Sequence, residues 1–165
     1  MKAPKTSDKS SVSHFQRGLA AMEEGAYALA ERSFLQVVEN DPALPGAYCN
    51  LALIQFNRER YADASEFVQQ AIAVNPRMAE AYNLRAQIAV RQGAIKQAES
   101  DYLKALEIEP GYVSVYYNLA LLYDIYYQDV TRAVEYYEAY LSRLAEPDEA
   151  LLAWVRRLKG TLGNG

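Results

Sequence analysis

One cysteine and one histidine, Cys49 and His14, are the only thiol and imidazole in 165 residues. A single cysteine rules out an intrachain disulfide, and the two side chains together cannot build a multi-cysteine zinc site. No apolar run approaches the roughly 18 residues that a membrane-spanning helix needs. Basic charge is also scarce. Seventeen Lys and Arg against 21 Asp and Glu give a formal net charge of −4, which leaves no electrostatic footprint for nucleic acid or an anionic membrane surface. Glycine-rich phosphate loops, paired metal-ligand motifs and strand-like alternation are missing. What is present is 51% apolar residues, ample for a folded core.

What is present is also periodic. Pro42, Pro76 and Pro110 stand 34 residues apart, each preceded by a polar residue, Asp41, Asn75 or Glu109, and an apolar helical run. A fixed period of this size marks stacked copies of one supersecondary unit. Small residues recur at the same interval, at Gly18, Ala52, Ala86 and Ala120 and again at Ala30, Ala64 and Ala98; Val37, Ala71 and Ala105 form a looser third series. Bulky apolar residues hold Phe34, Val68 and Tyr102, and aromatics hold Tyr48, Tyr82 and Tyr116.

Within each period the spacing is helical: Tyr48, Leu51, Ala52 and Gln55 share one face, as do Ala64, Phe67, Val68 and Ala71. The spacing predicts first helices near 12–24, 45–58, 79–92 and 113–127. Second helices are predicted near 27–40, 61–74, 95–108 and 130–144. Gly25 and Gly93 mark turns that need a positive φ. The small slots let helices approach closely, because two backbones touch only where Cβ is small or absent. The fourth unit slips by one residue around Tyr127–Val130, and a last helix is expected over 148–159. That helix reads as a cap over the end of the stack, with partner docking the competing role.

These slots are those of the tetratricopeptide repeat, and the chain resembles that family over about residues 11–147. The second repeat carries the pattern fully, with Tyr48, Leu51, Ala52, Tyr61, Ala64, Val68, Ala71 and Pro76. The first is weaker, with His14 and Arg17 in the aromatic and leucine slots. The resemblance implies an all-α fold: a right-handed superhelix, or α-solenoid, of four helix-turn-helix hairpins plus a C-terminal capping helix. The divisions are 1–10 as a disordered lead-in, repeats over 11–44, 45–78, 79–112 and 113–147, the cap over 148–159, and a flexible tail over 160–165.

It also implies function: a non-enzymatic adaptor or scaffold that captures a peptide or short helix of another protein on the concave wall made by first helices. By slot, that groove would contain Phe15, Leu19 and Met22 from the first repeat and Asn50, Leu53, Phe56 and Asn57 from the second. The third would add Asn83, Gln87 and Arg91, and the fourth Tyr117, Asn118 and Leu121. The asparagines can donate to and accept from an extended backbone; for Asn50 and Asn118, structural use common to the family explains their slot equally well. Chaperone-binding relatives hold a C-terminal carboxylate with lysines, an arginine and asparagines. Here those positions carry Phe15, Leu19, Glu80 and Leu84, and Asn50 alone persists.

Nine of the fourteen tyrosines lie between Tyr112 and Tyr140. Of these, Tyr126, Tyr127 and Tyr136 lack a core slot and are candidates for a second interface; the alternative function, self-assembly, would operate through the ends of the array or through this Tyr-rich fourth repeat. Acidic residues such as Glu99 and Asp101 are expected on solvated helix faces. No cofactor, metal, nucleic acid or small-molecule substrate is expected, and no direct membrane insertion. Met1 to Ser11 has no hydrophobic stretch and does not read as a signal peptide, so a complete chain would be cytoplasmic. The fourth repeat and last helix are similar to bacterial exported tetratricopeptide lipoproteins that serve pilus or envelope assembly, so a chain trimmed of its signal would be periplasmic or attached to the outer membrane. Replacing Asn83, Arg91 and Tyr117 together by Ala is expected to abolish capture and leave folding intact.

Overall fold

The computed structural model describes residues 9–162, and every regular element among them is a helix. Four antiparallel hairpins follow one another: α1 (Lys9–Glu23) with α2 (Tyr27–Asn40), α3 (Pro45–Asn57) with α4 (Tyr61–Val74), α5 (Ala79–Arg91) with α6 (Ile95–Ile108), and α7 (Val113–Leu121) with α8 (Val130–Leu141). A π-helical segment, Leu122–Tyr127, continues α7, and α9 (Glu149–Leu162) closes the stack. The architecture is a right-handed α-solenoid with a terminal cap.

The punctuation works as its chemistry dictates. Asp41, Asn75 and Glu109 adopt nearly one conformation, with φ of −140°, −134° and −133°, the extended state that a following proline enforces. Tyr82 and Tyr116 reach back to donate to the carbonyls of Pro76 and Pro110, at 3.2 and 2.8 Å. The aromatic slot thus clamps the turn behind it. All three small-residue series are buried, with Ala52, Ala64, Ala86, Ala98 and Ala120 at 0% exposure. Ala64→Leu or Ala98→Leu is therefore expected to overpack a hairpin and cost about 1–3 kcal/mol; an unchanged thermal melt for either would contradict the packing.

The irregularity of the fourth repeat lies inside the helix. The left-handed turn residue falls at Gly25, Glu59 and Gly93, with φ of 70°, 60° and 75°, and then at Gln128, φ 53°. The last interval is one residue longer, while Tyr116 and Ala120 keep the regular register. The added residue is thus absorbed between them and Gln128, where the ladder widens from α to π. Asp129 N donates to Tyr123 O at 2.9 Å to close the segment. The expected site of the slip, the turn near Tyr127–Val130, is corrected to the turn of helix before it.

The ends also differ from expectation. Lys9 and Ser10, assigned to the lead-in, are helical, and Ser11 beside them is fully buried; residues 1–8 lie outside the described residues. At the other end 160–162 continue α9, where the Thr161 hydroxyl donates to the Leu158 carbonyl at 2.6 Å; 163–165 lie outside. Helix α8 stops at Leu141 rather than 144, because the Ser142 and Arg143 side chains both donate to Ala139 O. Val155 and Leu158 of α9 are buried in the core cluster they share with Val134 and Tyr137 of α8.

One expected surface carboxylate is inside. Asp101 is 2% exposed and accepts from Arg85 Nε and Nη2 at 2.8 and 2.6 Å. Arg85 occupies the slot that holds Leu51 and Leu119 in the neighbouring repeats, and Asp101 the slot of Phe67. An ion pair in the third repeat replaces an apolar contact in the second, where Leu51 and Phe67 share a cluster.

Candidate functional site

The first helices and the π segment enclose two adjoining hollows. One, of about 290 Å3, has Phe56 of α3, Gln87 and Arg91 of α5, and Asn118 of α7 along its wall, with Ile125 and Tyr126 of the π segment opposite. The other, of about 600 Å3, is bounded by Tyr117, Asp124, Tyr137 and Tyr140 on one side and by Asp148 and Trp154 at α9 on the other. Leu121 and Ile125 line both hollows and join them.

Apart from Asn50 and Asn83, the groove positions inferred by slot divide into three groups. Phe56, Gln87, Arg91, Tyr117, Asn118 and Leu121 come together around the hollows. Phe15, Leu19 and Met22 sit apart on α1. Phe15 packs edge-on against Phe34 at 5.4 Å, Met22 joins the same cluster, and Leu19 is exposed. Leu53 packs into the central core cluster, and Asn57 is exposed at the end of α3.

The asparagines are largely committed inside the protein. Asn50 Nδ2 donates to Gly46 O at 2.9 Å, in its own helix. Asn83 is buried: its Nδ2 donates to the Tyr112 hydroxyl at 3.3 Å and its Oδ1 accepts from Asn118 Nδ2 at 3.0 Å. This ladder links the third repeat to the fourth. Tyr117 packs on Tyr137 and Tyr140, with ring centroids 6.0 and 5.1 Å away. The triple replacement of Asn83, Arg91 and Tyr117 would therefore break the packing between repeats as well as the groove, since a buried amide network left half-made is destabilising. Arg91 is the one of the three that is exposed, its guanidinium 5.9 Å from the Phe56 ring centroid.

Of the three tyrosines without a core slot, Tyr127 and Tyr136 both pack on Tyr123, and Tyr126 lies at the smaller hollow. Tyr126 is 48% exposed and faces the smaller hollow. Tyr136 stacks on Tyr123, at 5.4 Å and 8°. Tyr127 donates to Glu99 Oε2 at 2.7 Å, beside the Tyr123 hydroxyl, which donates to Glu99 Oε1 at 2.5 Å. Burial, and then that carboxylate, push the Tyr123 hydroxyl up to about 12. Glu99 is thus a hydrogen-bonded partner of tyrosines rather than a solvated acid.

At the far end, Asp124 Oδ2 accepts from both the Tyr137 hydroxyl and Trp154 Nε1, each at 3.0 Å. This pins α9 to the π segment. Burial, followed by Asp124, raises the Tyr137 hydroxyl well above its usual range. Burial and then Glu80 push the Cys49 thiol up to about 11, so it is protonated and a poor nucleophile at neutral pH.

Ile125 and Trp154 were not read from the sequence as groove residues. Trp154 could have been found, because Leu151, Trp154, Val155 and Leu158 continue one helical stripe. Ile125 could not, because a 3.6-residue pattern gives the wrong facing for any residue inside a π turn.

Tetratricopeptide-repeat family models match residues 15–69, 49–113 and 101–151. The chain belongs to the tetratricopeptide-repeat family. As such a repeat protein it is 32% identical, over 108 residues, to the mouse protein O-mannosyl-transferase TMTC3, a match covering 61% of this chain and 12% of that protein. The chain thus spans about an eighth of that relative's length. A crystal structure of MamA superposes with a TM-score of 0.72 and 26% identity, covering 81% of this chain and 77% of that one. The first tetratricopeptide domain of Spaghetti (RPAP3), solved bound to the HSP90 peptide SRMEEVD, superposes with a TM-score of 0.68 and 21% identity, covering 74% and 97%. Among the described residues no helix is long and apolar enough to cross a membrane.

Proposed function

We propose that the protein is an adaptor that captures a segment of another protein in the C-terminal half of its groove, between α3 and α9, without chemical turnover. The observation that carries this reading is Ile125. At 59% it is the most exposed large apolar side chain among the described residues, and it stands where the two hollows meet. An apolar residue held in the open by a π turn, flanked by Tyr126 and Trp154 at 48% and 37% exposure, is the composition of an interaction hot spot. Peptide capture by the RPAP3 domain supports the use of this fold for such a purpose. The acidic tail bound there is a poor ligand for this groove. Leu84 is buried at 5% exposure and Glu80 would repel a carboxylate, so a desolvated anion would find no cation in the positions that hold it elsewhere.

Ile125→Glu is expected to weaken partner capture by about 2 kcal/mol or more with the melting temperature unchanged, since the side chain is exposed. Trp154 is the chain's single tryptophan and lines the larger hollow, so its emission should shift as a partner fills the groove. Recovery of the same partners by the wild-type and Ile125→Glu proteins would move the site elsewhere.

A further inference from the structure

The two hollows differ in charge. Arg91 is the charged residue lining the smaller hollow, and Asp124 and Asp148 are those lining the larger. Among the described residues none of the three forms an ion pair. Asp124 uses Oδ2 for both of its hydrogen bonds, and Asp148 uses Oδ1 to cap Leu151 N at 2.9 Å. Each carboxylate therefore keeps a second oxygen outside these bonds. Arg157 stacks on the Trp154 ring at 5.0 Å, but it lines neither hollow. Between the charges the shared floor is Leu121 and Ile125. A cation, an apolar floor and two carboxylates thus follow one another along the groove.

We propose that the groove is directional and takes a segment of a partner protein bearing an acidic residue, then apolar side chains, then a basic residue. The acid meets Arg91, the apolar residues cover Leu121 and Ile125, and the base meets Asp124 and Asp148. Arg91 lies at the end of α5 and Asp124 in the π segment that continues α7, and helices packed side by side stand about 8–10 Å apart. An extended chain crosses that distance in about three residues, which sets the spacing between the two charges. This assignment rests on the groove reading above. It specifies the ligand by charge complementarity, which governs specificity and orientation more than raw affinity.

The test is selection of random 12-residue peptides by display on the whole chain, repeated with Arg91→Glu and with Asp124→Asn/Asp148→Asn, which keeps both acceptors and the helix cap. Enriched peptides are expected to carry an acid and a base separated by about three residues, with apolar residues between. Arg91→Glu should weaken a selected peptide by about three- to tenfold, and a lysine in place of its acid should restore binding, as expected for partly exposed charge pairs. The paired asparagine variant should erase the preference at the basic end. Peptides that are apolar without charge order, yet lost with Ile125→Glu, would overturn this inference and leave the groove reading standing. Peptides indifferent to Ile125→Glu, or no enrichment at all, would overturn both. A concentration-dependent mass abolished by Ile125→Glu would place a second copy of the chain in the groove and overturn the assignment.

Discussion

Arg85→Leu alone is expected to destabilise the protein by about 3–5 kcal/mol, because it leaves the Asp101 carboxylate buried without its cation. The side chain of Asp101 is 3% exposed whereas that of Arg85 is 29%, so the penalty falls on the acid and water cannot relieve it. Asp101→Leu, which leaves the half-exposed arginine free to turn toward solvent, should cost less. Arg85→Leu combined with Asp101→Phe transplants the apolar pair of the second repeat, Leu51 and Phe67, into the third. Replacing a buried ion pair by well-packed apolar residues is commonly neutral or stabilising by about 1–4 kcal/mol. The double variant should therefore unfold at or above the denaturant midpoint of the parent chain. A double variant less stable than Arg85→Leu would mean that the third hairpin cannot adopt the packing of the second.

Phe34→Val is the second large effect, expected at about 2–4 kcal/mol from the cavity it opens. Phe34 is 0% exposed, and its ring fills the space left by Gly18: a Cβ at Gly18 would stand 2.7–2.9 Å from three ring atoms. The ring cannot swing away, since Phe15 packs edge-on against it. Gly18→Ala alone should thus destabilise despite the gain of about 1 kcal/mol that alanine brings to a helix interior. Together the two changes reproduce Ala52 and Val68 of the second repeat. The Gly18→Ala/Phe34→Val protein should recover about half or more of the loss, since the new methyl fills part of the cavity and adds the helix propensity. Strict additivity of the two single losses in chemical denaturation would show that the residues do not share one site.

Both experiments treat the repeats as interchangeable parts, and that is where the sequence was most legible. The 34-residue interval identified the hairpins, and the helix boundaries fell within a few residues of those seen. Turn slots, small slots and pre-proline residues are local constraints on φ and on Cβ size, so they survive translation into one dimension. The groove was legible in part. Phe56, Gln87, Arg91, Tyr117, Asn118 and Leu121 meet around the hollows, while Phe15 and Met22 pack under the first hairpin. Asn83 lies in an amide ladder that no slot count would show.

What the sequence by itself determined is the repeating unit, because helical periodicity and turn chemistry are set by residues three or four apart. What only the tertiary structure decided is how side chains from different helices are shared out: Asp101 inward to Arg85, Glu99 to two tyrosines, Asp124 to Tyr137 and Trp154. These choices depend on crossing register and on a one-residue widening of the helix at Leu122–Tyr127. That widening turns Ile125 into the groove. A pattern of 3.6 residues per turn cannot anticipate it, since the physical event is a local change in the period itself.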